Sequence, residues 1–397
     1  MTAVTPQGKR DITIFIIATE ESGDRLGGAL MQALRQRSGA GLRLEGIGGH
    51  AMAAQGLATL FPTDELAIMG VSAIPRKLPL LRRRIREAAD RAVAVRPDAL
   101  VIIDSPDFTH RVARRVRAAA PEIPIVDYVS PTVWAWRPGR ARAMRAYVDH
   151  VLALLPFEPA AHARLGGPPC TYVGHPLAEQ IETLRPSAAE ISRRAADPPR
   201  VLLLPGSRSG EIARHLAIFG AAAARAAARC GPLETVLPTV PHLAERVALA
   251  SASWSVRPRI VVAEDEKRAA FRTARAALAA SGTVTLELAL AGVPTVVAYR
   301  TGLLNEAVYR SFVRVPMVAL ANLVLGENVM PEILQRDATP ERLADAVIPL
   351  IGDTPERRKQ LEAFARIDAV MGLGTTRPSE TAAEIVLDVA KRARRVG

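Results

Sequence analysis

Residues 12–24 read ITIFIIATEESGD: an apolar, β-branched run, then a polar turn carrying Gly23, after which Leu26, Leu30 and Leu34 recur at helical spacing. That is a strand, a loop and a helix. The same alternation returns at residues 99–103, 123–129 and 151–155, separated by Arg- and Ala-rich helical stretches. Strands that alternate with helices form a parallel sheet covered on both faces. The pattern restarts at 201–204, 234–237, 260–262, 276–281 and 294–298, which predicts a second doubly wound unit. The expected fold class is therefore α/β, with two Rossmann-like parallel-sheet domains facing a central cleft. The expected boundaries are 1–180 for the first domain and 201–375 for the second. A polar linker punctuated by Pro186, Pro198 and Pro199 is expected over 181–200, and a basic amphipathic helix over 376–397 that packs back on the first domain.

A chain of 397 residues exceeds the roughly 250–300 at which one hydrophobic core stops growing, so two domains also follow from length. Apolar residues at 49% against 23% charged exclude a disordered chain. The formal charge of +12 admits nucleic acid, an anionic membrane surface or a phosphorylated substrate as partner, and Arg-rich coding bias accounts for the excess equally well. Cys170 and Cys230 match no metal or redox spacing, and a reducing cytoplasm fits them. The opening MTAVTPQGKR lacks the apolar core of a secretion signal, and no stretch reaches the ~18 apolar residues of a membrane span. A soluble or peripheral protein is expected.

Ligands of open α/β sheets bind beyond the carboxyl ends of the strands, so the chemistry is sought in the loops there. The first loop offers Glu20, Ser22, Gly23 and Asp24 just before a helix. Three acids in one turn, with Glu21, exceed what capping requires, although Ser22 or Asp24 acting as a cap is the competing reading. The loop IIDSPDF places Asp104 at a strand end and Asp107 three residues on, with Pro106 fixing the turn. Transfer to a hydroxyl requires a base, and Asp104 is the first choice; Asp107 reads equally well as a helix cap. The spacing is DxxD rather than DxD, so no metal and no other cofactor is expected. In YVSPTVWAWRPGRARAMR, Trp134 and Trp136 stand beside Arg137, a pairing that suits a sugar ring bearing a phosphate, unless both indoles pack into the core.

In the second half, LLPGSRSGEI sets Gly206, Ser207 and Arg208 between a strand and a helix, where backbone donors and a guanidinium can hold a diphosphate. SGTVTLELALAGVP repeats the device with Ser281, Gly282 and Thr283 and puts Glu287 one turn on, where a carboxylate can take both hydroxyls of a ribose or simply face solvent.

Taken in order, DSPDF, YVSPTVWAWR, LPFE, VGHPL, LLPGSR and SGTVTLE resemble the lipid-A-disaccharide synthases, glycosyltransferase family 19, through nearly the whole chain. The resemblance implies a GT-B fold without a required metal. It also implies inverting transfer of diacylglucosamine from its UDP conjugate to diacylglucosamine 1-phosphate, giving the β-1,6 lipid A disaccharide 1-phosphate and UDP. The family's aspartate in DxPDF falls on Asp104 and its arginine in PGSR on Arg208. The stretch ANLVLGENVMPEILQ corresponds to the family's segment near the nucleotide, bringing in Asn322 and Gln335, and MGVSAI brings Met69 and Gly70 to the acceptor side. Ala73 replaces a glutamate usual in the family, and Ala321 replaces a proline. Another GT-B UDP-sugar transferase, or a UDP-sugar 2-epimerase, is the alternative.

The segment IPRKLPLLRRRIRE interleaves Leu78, Leu80, Leu81 and Ile85 with Arg76, Lys77, Arg82, Arg83, Arg84 and Arg86. A basic amphipathic face of this kind suits peripheral attachment to an anionic bilayer at the inner face of the cytoplasmic membrane, or is an ordinary helix with a solvated face. No nucleic-acid partner is expected, because no recognition signature appears. A homodimer is an open alternative to the monomer.

Overall fold

The computed structural model describes residues 11–39, 41–66, 74–301, 317–374 and 377–396, and the side chains within them except at 74–77 and 395–396. The chain divides into two compact units, Met1–Ala178 with Gly374–Gly397, and Glu179–Leu373.

The first unit holds a six-stranded parallel sheet of β1 (Ile12–Ala18), β2 (Leu42–Ile47), β3 (Ala99–Ile103), β4 (Ile125–Tyr128), β5 (His150–Ala153) and β6 (Cys170–Tyr172), in the order β2-β1-β3-β4-β5-β6. Alternate residues feed opposite faces. Ile14, Ile16, Val101 and Tyr128 pack with Leu30 and Leu34 of helix Glu21–Ser38 and with Ala382, Val386 and Ala390 of helix Pro378–Val396. Phe15, Ile17, Leu100, Ile102 and Ile125 pack with Ile85 and Ala88 of helix Ile74–Val95 and with Val112 and Val116 of helix Pro106–Ala119. Each fully buried large side chain contributes about 1.5–3 kcal/mol, and burial on both faces explains why these strands are continuously apolar. The C-terminal helix is further held by Arg394, whose Nε donates to Asp98 at 2.6 Å. Gly46 admits no side chain, because at its φ of +147° a Cβ would lie 1.8 Å from the Ile16 carbonyl oxygen.

The second unit repeats the plan with β7 (Arg200–Leu204), β8 (Glu234–Pro238), β9 (Arg259–Val261), β10 (Ala276–Ala280), β11 (Thr295–Tyr299) and β12 (Glu332–Leu334), in the order β12-β11-β10-β7-β8-β9, all parallel. Its core joins Val201, Leu203, Leu278 and Val296 to Phe219 of helix Ser209–Cys230 and Leu343 of helix Pro340–Ile351.

The stretch read as a linker, 181–200, is different from expectation. It forms helices Ile181–Leu184 and Ala188–Ala195 inside the second unit, the latter opened by a capping box between Ser187 and Glu190. Arg194 ties it down by donating to the carbonyls of Phe271, Arg272, Ala291 and Gly292. What looked like lost strand rhythm is helix punctuated by Pro186.

Strand order reverses between β1 and β3 in one sheet and between β7 and β10 in the other. Crevices at the carboxyl ends of such switch points are where α/β sheets bind ligands. The loops singled out in the sequence after β1, β3, β7 and β10 are the loops at these two switch points.

Candidate active site

At the first switch point the β1 and β3 loops meet through side chains. Ser105 donates from Oγ to Glu20 Oε1 at 2.8 Å, and the Ser22 hydroxyl hydrogen-bonds the Asp104 carboxylate. Gly23 is buried, and a Cβ there would stand 3.4 Å from the Ile103 carbonyl oxygen. Asp104 is partly buried, and its Oδ1 accepts the Ser105 amide at 2.7 Å. Burial raises its pKa above the ordinary carboxylate value, and the nearby Glu20 and Asp127 carboxylates push the same way against the Ser105 and Ser22 hydrogen bonds. Both Asp104 (φ +52°) and Ser105 (φ +48°) occupy the left-handed region, a sharp turn directly after the strand end.

Asp24 points elsewhere. It is buried and accepts the amides of Gly49 (2.7 Å), Ala51 (2.7 Å) and Met52 (3.1 Å) at the start of helix His50–Ala54, so it holds the following helix and is not brought to Asp104. Asp107 is exposed, with Arg140 at 4.0 Å. Trp134 is partly buried: its indole N–H donates to Glu158 Oε1 at 3.1 Å and its ring meets Phe157 edge-on. Trp136 is exposed, and the Arg137 guanidinium stacks on it at 4.1 Å from the ring centre. Met69, Gly70 and Ala73 lie outside the described residues.

At the second switch point, Arg208 extends into solvent with 84% of its side chain exposed. Of the Gly206 and Ser207 amides expected to hold a diphosphate, that of Ser207 instead donates to Glu211 Oε2 at 3.0 Å, and the Arg208 amide donates to the same oxygen at 3.2 Å. Gly206 (φ +116°) makes room for that carboxylate, because a Cβ there would lie 2.5 Å from Oε2. The loop after β10 is arranged differently: Ser281 Oγ donates to the Val318 carbonyl at 2.7 Å, while the exposed Gly282 and Thr283 have no acceptor for their amides among the described residues. Glu287 is paired with Lys267 at 3.0 Å, so it does not stand as a solvated helix residue.

Asn322 is fully buried and saturated. Its Nδ2 donates to Asn328, Met330 and Glu332 and its Oδ1 accepts from Val329 and Met330, so it fixes the loop before β12 and has no group left for a nucleotide. Gln335, at φ +53°, exchanges hydrogen bonds with Thr301 through its side chain.

Sequence reading missed Glu211, whose place three residues after a helix start is a capping-box signal, and His215, which has none. His215 Nδ1 lies 3.0 Å from the Pro205 carbonyl and Nε2 accepts the Arg300 amide at 2.9 Å, so the buried ring links the ends of β7 and β11. Burial lowers its pKa, which keeps it neutral for both bonds.

In the first unit, Arg82 and Arg86 of one helix and Arg111, Arg114 and Arg115 of its neighbour line a groove of about 410 Å³ over Ile85. Arg84, read with the basic face, is withdrawn from it: Nε donates to Glu65 at 2.9 Å, NH1 donates to Glu87 at 2.6 Å, and the guanidinium lies 4.6 Å from the Phe61 ring centre. Among the described residues no helix is long and apolar enough to cross a membrane.

The family model described as lipid-A-disaccharide synthetase matches residues 14–386. The chain is 60% identical over 381 residues to a lipid-A-disaccharide synthase of Nitrobacter winogradskyi, covering 96% of each chain. It is 59% identical over 393 residues to one of Rhodopseudomonas palustris, covering 99% of this chain and 100% of the other. In fold it is similar to a UDP-GlcNAc 2-epimerase from Neisseria meningitidis (TM-score 0.62, 13% identity, 96% of this chain and 100% of the other). It is likewise similar to MurG of Acinetobacter baumannii (TM-score 0.55, 15% identity, 96% and 100%).

Proposed function

The chain belongs to the lipid-A-disaccharide synthetase family, and from that premise we propose how its loops divide the work of the reaction. The protein is a glycosyltransferase of the GT-B fold that forms the lipid A disaccharide from a UDP-sugar and a lipid-linked acceptor. The donor is UDP-2,3-diacylglucosamine and the acceptor 2,3-diacylglucosamine 1-phosphate. The Asp104 carboxylate takes the proton of the acceptor 6-hydroxyl as that oxygen bonds to the donor's anomeric carbon. The bond from that carbon to the diphosphate breaks on the opposite side, inverting the centre and releasing UDP. Glu20 and Ser22, at the same switch point, orient the acceptor with Trp136 and Arg137. The Arg208 guanidinium and the amides of Gly282 and Thr283 offset charge on the departing diphosphate, and Glu287 takes the ribose.

The observation that carries this reading is the Asp104 carboxylate, set in the sharp turn just after β3 at the first switch point and made more basic by burial. UDP release is measured with UDP-diacylglucosamine in mild detergent, with and without the acceptor. Release only with acceptor, alongside a disaccharide, supports the reading; release without acceptor favours hydrolysis or epimerase-like chemistry and contradicts it.

The five-arginine groove supports a peripheral place on the inner face of the cytoplasmic membrane, since anionic headgroups suit guanidinium forks. A homodimer belongs to the same proposal, and sedimentation showing only monomer at working concentration would remove it.

A further inference from the structure

Behind the first switch point lies a carboxylate with no part in the steps above. Asp127 sits in β4 between Val126 and Tyr128 and is 1% exposed. A charged group so placed is costly unless paired. Its Oδ2 lies 3.1 Å from His110 Nε2, and its Oδ1 has no partner among the described residues. His110 Nδ1 lies 3.1 Å from the Tyr147 hydroxyl, which accepts from Arg114 at 3.3 Å beneath that residue's guanidinium. Arg114 can only donate, so the Tyr147 proton is assigned to His110 Nδ1 and the Nε2 proton to Asp127. The four residues form one directed chain ending on β4.

That chain is fastened beside a strained turn. Asp104 and Ser105 are adjacent non-glycine residues at positive φ, and such strain persists only where the surroundings over-determine it. The Asp104 amide donates to the Tyr128 carbonyl at 3.1 Å, and Thr109 Oγ1 donates to the Asp104 carbonyl at 2.7 Å. The residues next in line on each side, His110 and Asp127, close the third tie. Ile102 is opposite Asp127 in the β3–β4 register, so Asp127 shares a face of the sheet with Ile102, two residues before Asp104.

We infer that the Asp127–His110 pair is a positioning device for the reaction, pinning the N-terminal part of helix Pro106–Ala119 to β4 so that the Asp104 carboxylate is held where the acceptor hydroxyl arrives. The inference rests on the reading of Asp104 as base. A second effect comes with the first: the Asp127 carboxylate, like Glu20, opposes ionisation of Asp104, whereas Ser22 and the Ser105 amide favour it. Asp127 is itself faced by His110 on its helix, with His162, Tyr147 and Cys170 within its field.

Turnover, KM for both substrates, thermal midpoint and the pH dependence of kcat/KM are measured for Asp104→Ala, His110→Ala, His110→Gln and Asp127→Asn. His110→Ala should lower kcat on the order of tenfold or more with donor KM unchanged, because the carboxylate is misplaced and the nucleotide site is untouched. His110→Gln, whose amide can still donate to Asp127, should restore most of that loss. Asp127→Asn keeps an acceptor for His110 but removes the charge, so the acid limb should move to lower pH with plateau kcat within about twofold. Should His110→Ala fail to fold, His110→Phe, which keeps the ring volume and loses the bond to Asp127, takes its place, and wild-type kcat in the folded variant overturns the inference. If Asp104→Ala also keeps wild-type turnover, the base reading falls first; if it is inactive while the dyad variants are normal, the dyad alone falls.

Discussion

Glu211 accepts the backbone amide of Ser207 at 3.0 Å, so the helix start after β7 is closed by the protein's own carboxylate. A diphosphate at that switch point is left the exposed guanidinium of Arg208, which pairs with Glu211 at 3.3 Å, and the amides of Gly282 and Thr283 after β10. Arg208→Ala should therefore weaken UDP binding and turnover by roughly tenfold each, the scale of one charge-assisted contact. Glu211→Ala should lower stability by about 1 kcal/mol through the lost cap while changing UDP affinity less than threefold. Calorimetric UDP titration and thermal melting separate the two, and a large affinity change in Glu211→Ala would place the diphosphate on the β7 loop after all.

Burial above all raises the Asp104 pKa. A base works deprotonated, so kcat/KM should fall on the acid side at a pH above the ordinary carboxylate range of about 4. A profile that stays flat through the ordinary carboxylate range would mean that no such group governs the rate.

Glu158 is 3% exposed, and burial lifts its pKa to about 7 against the hydrogen bonds from Leu155, Trp134 and Leu154. A carboxyl raised in the folded state contributes stability that is fully present below its unfolded value near 4.5 and is lost as pH rises through about 7. Unfolding free energy should fall by an amount on the order of 3 kcal/mol between pH 5 and 8 relative to Glu158→Gln. Parallel pH slopes for the two proteins would show that Glu158 titrates normally.

Arg111 and Arg115 are exposed and have no carboxylate partner among the described residues, so they can be removed without breaking an internal pair. Arg111→Ser/Arg115→Ser should weaken binding to anionic vesicles in flotation by roughly thirtyfold at low salt, at about 1 kcal/mol per guanidinium, with activity in detergent unchanged. Arg84→Glu is no substitute, since that side chain is held by Glu65 and Glu87.

The four switch-point loops were legible because each follows a β-branched run and precedes a helix, a local signal. Strand order was not, since it is fixed by pairing between distant segments, and the short strands β2, β6 and β12 carry too few apolar residues to stand out. Asp24 read as part of a ligand-facing acid cluster because its amide partners lie 25 to 28 residues on. Asn322 looked available because nothing local shows that Val329, Met330 and Glu332 saturate it. The Asp127–His110 pair joins a strand to a helix 17 residues away, and neither residue sits in a motif.

The most direct test of Asp104 as base is steady-state UDP release by Asp104→Ala with both substrates present, beside a UDP titration of the same protein. The predicted result is turnover reduced by ~10²–10⁴ with UDP affinity near that of the wild type. Turnover within a few fold of wild type would contradict it, and the proton would then have to leave the acceptor by another route.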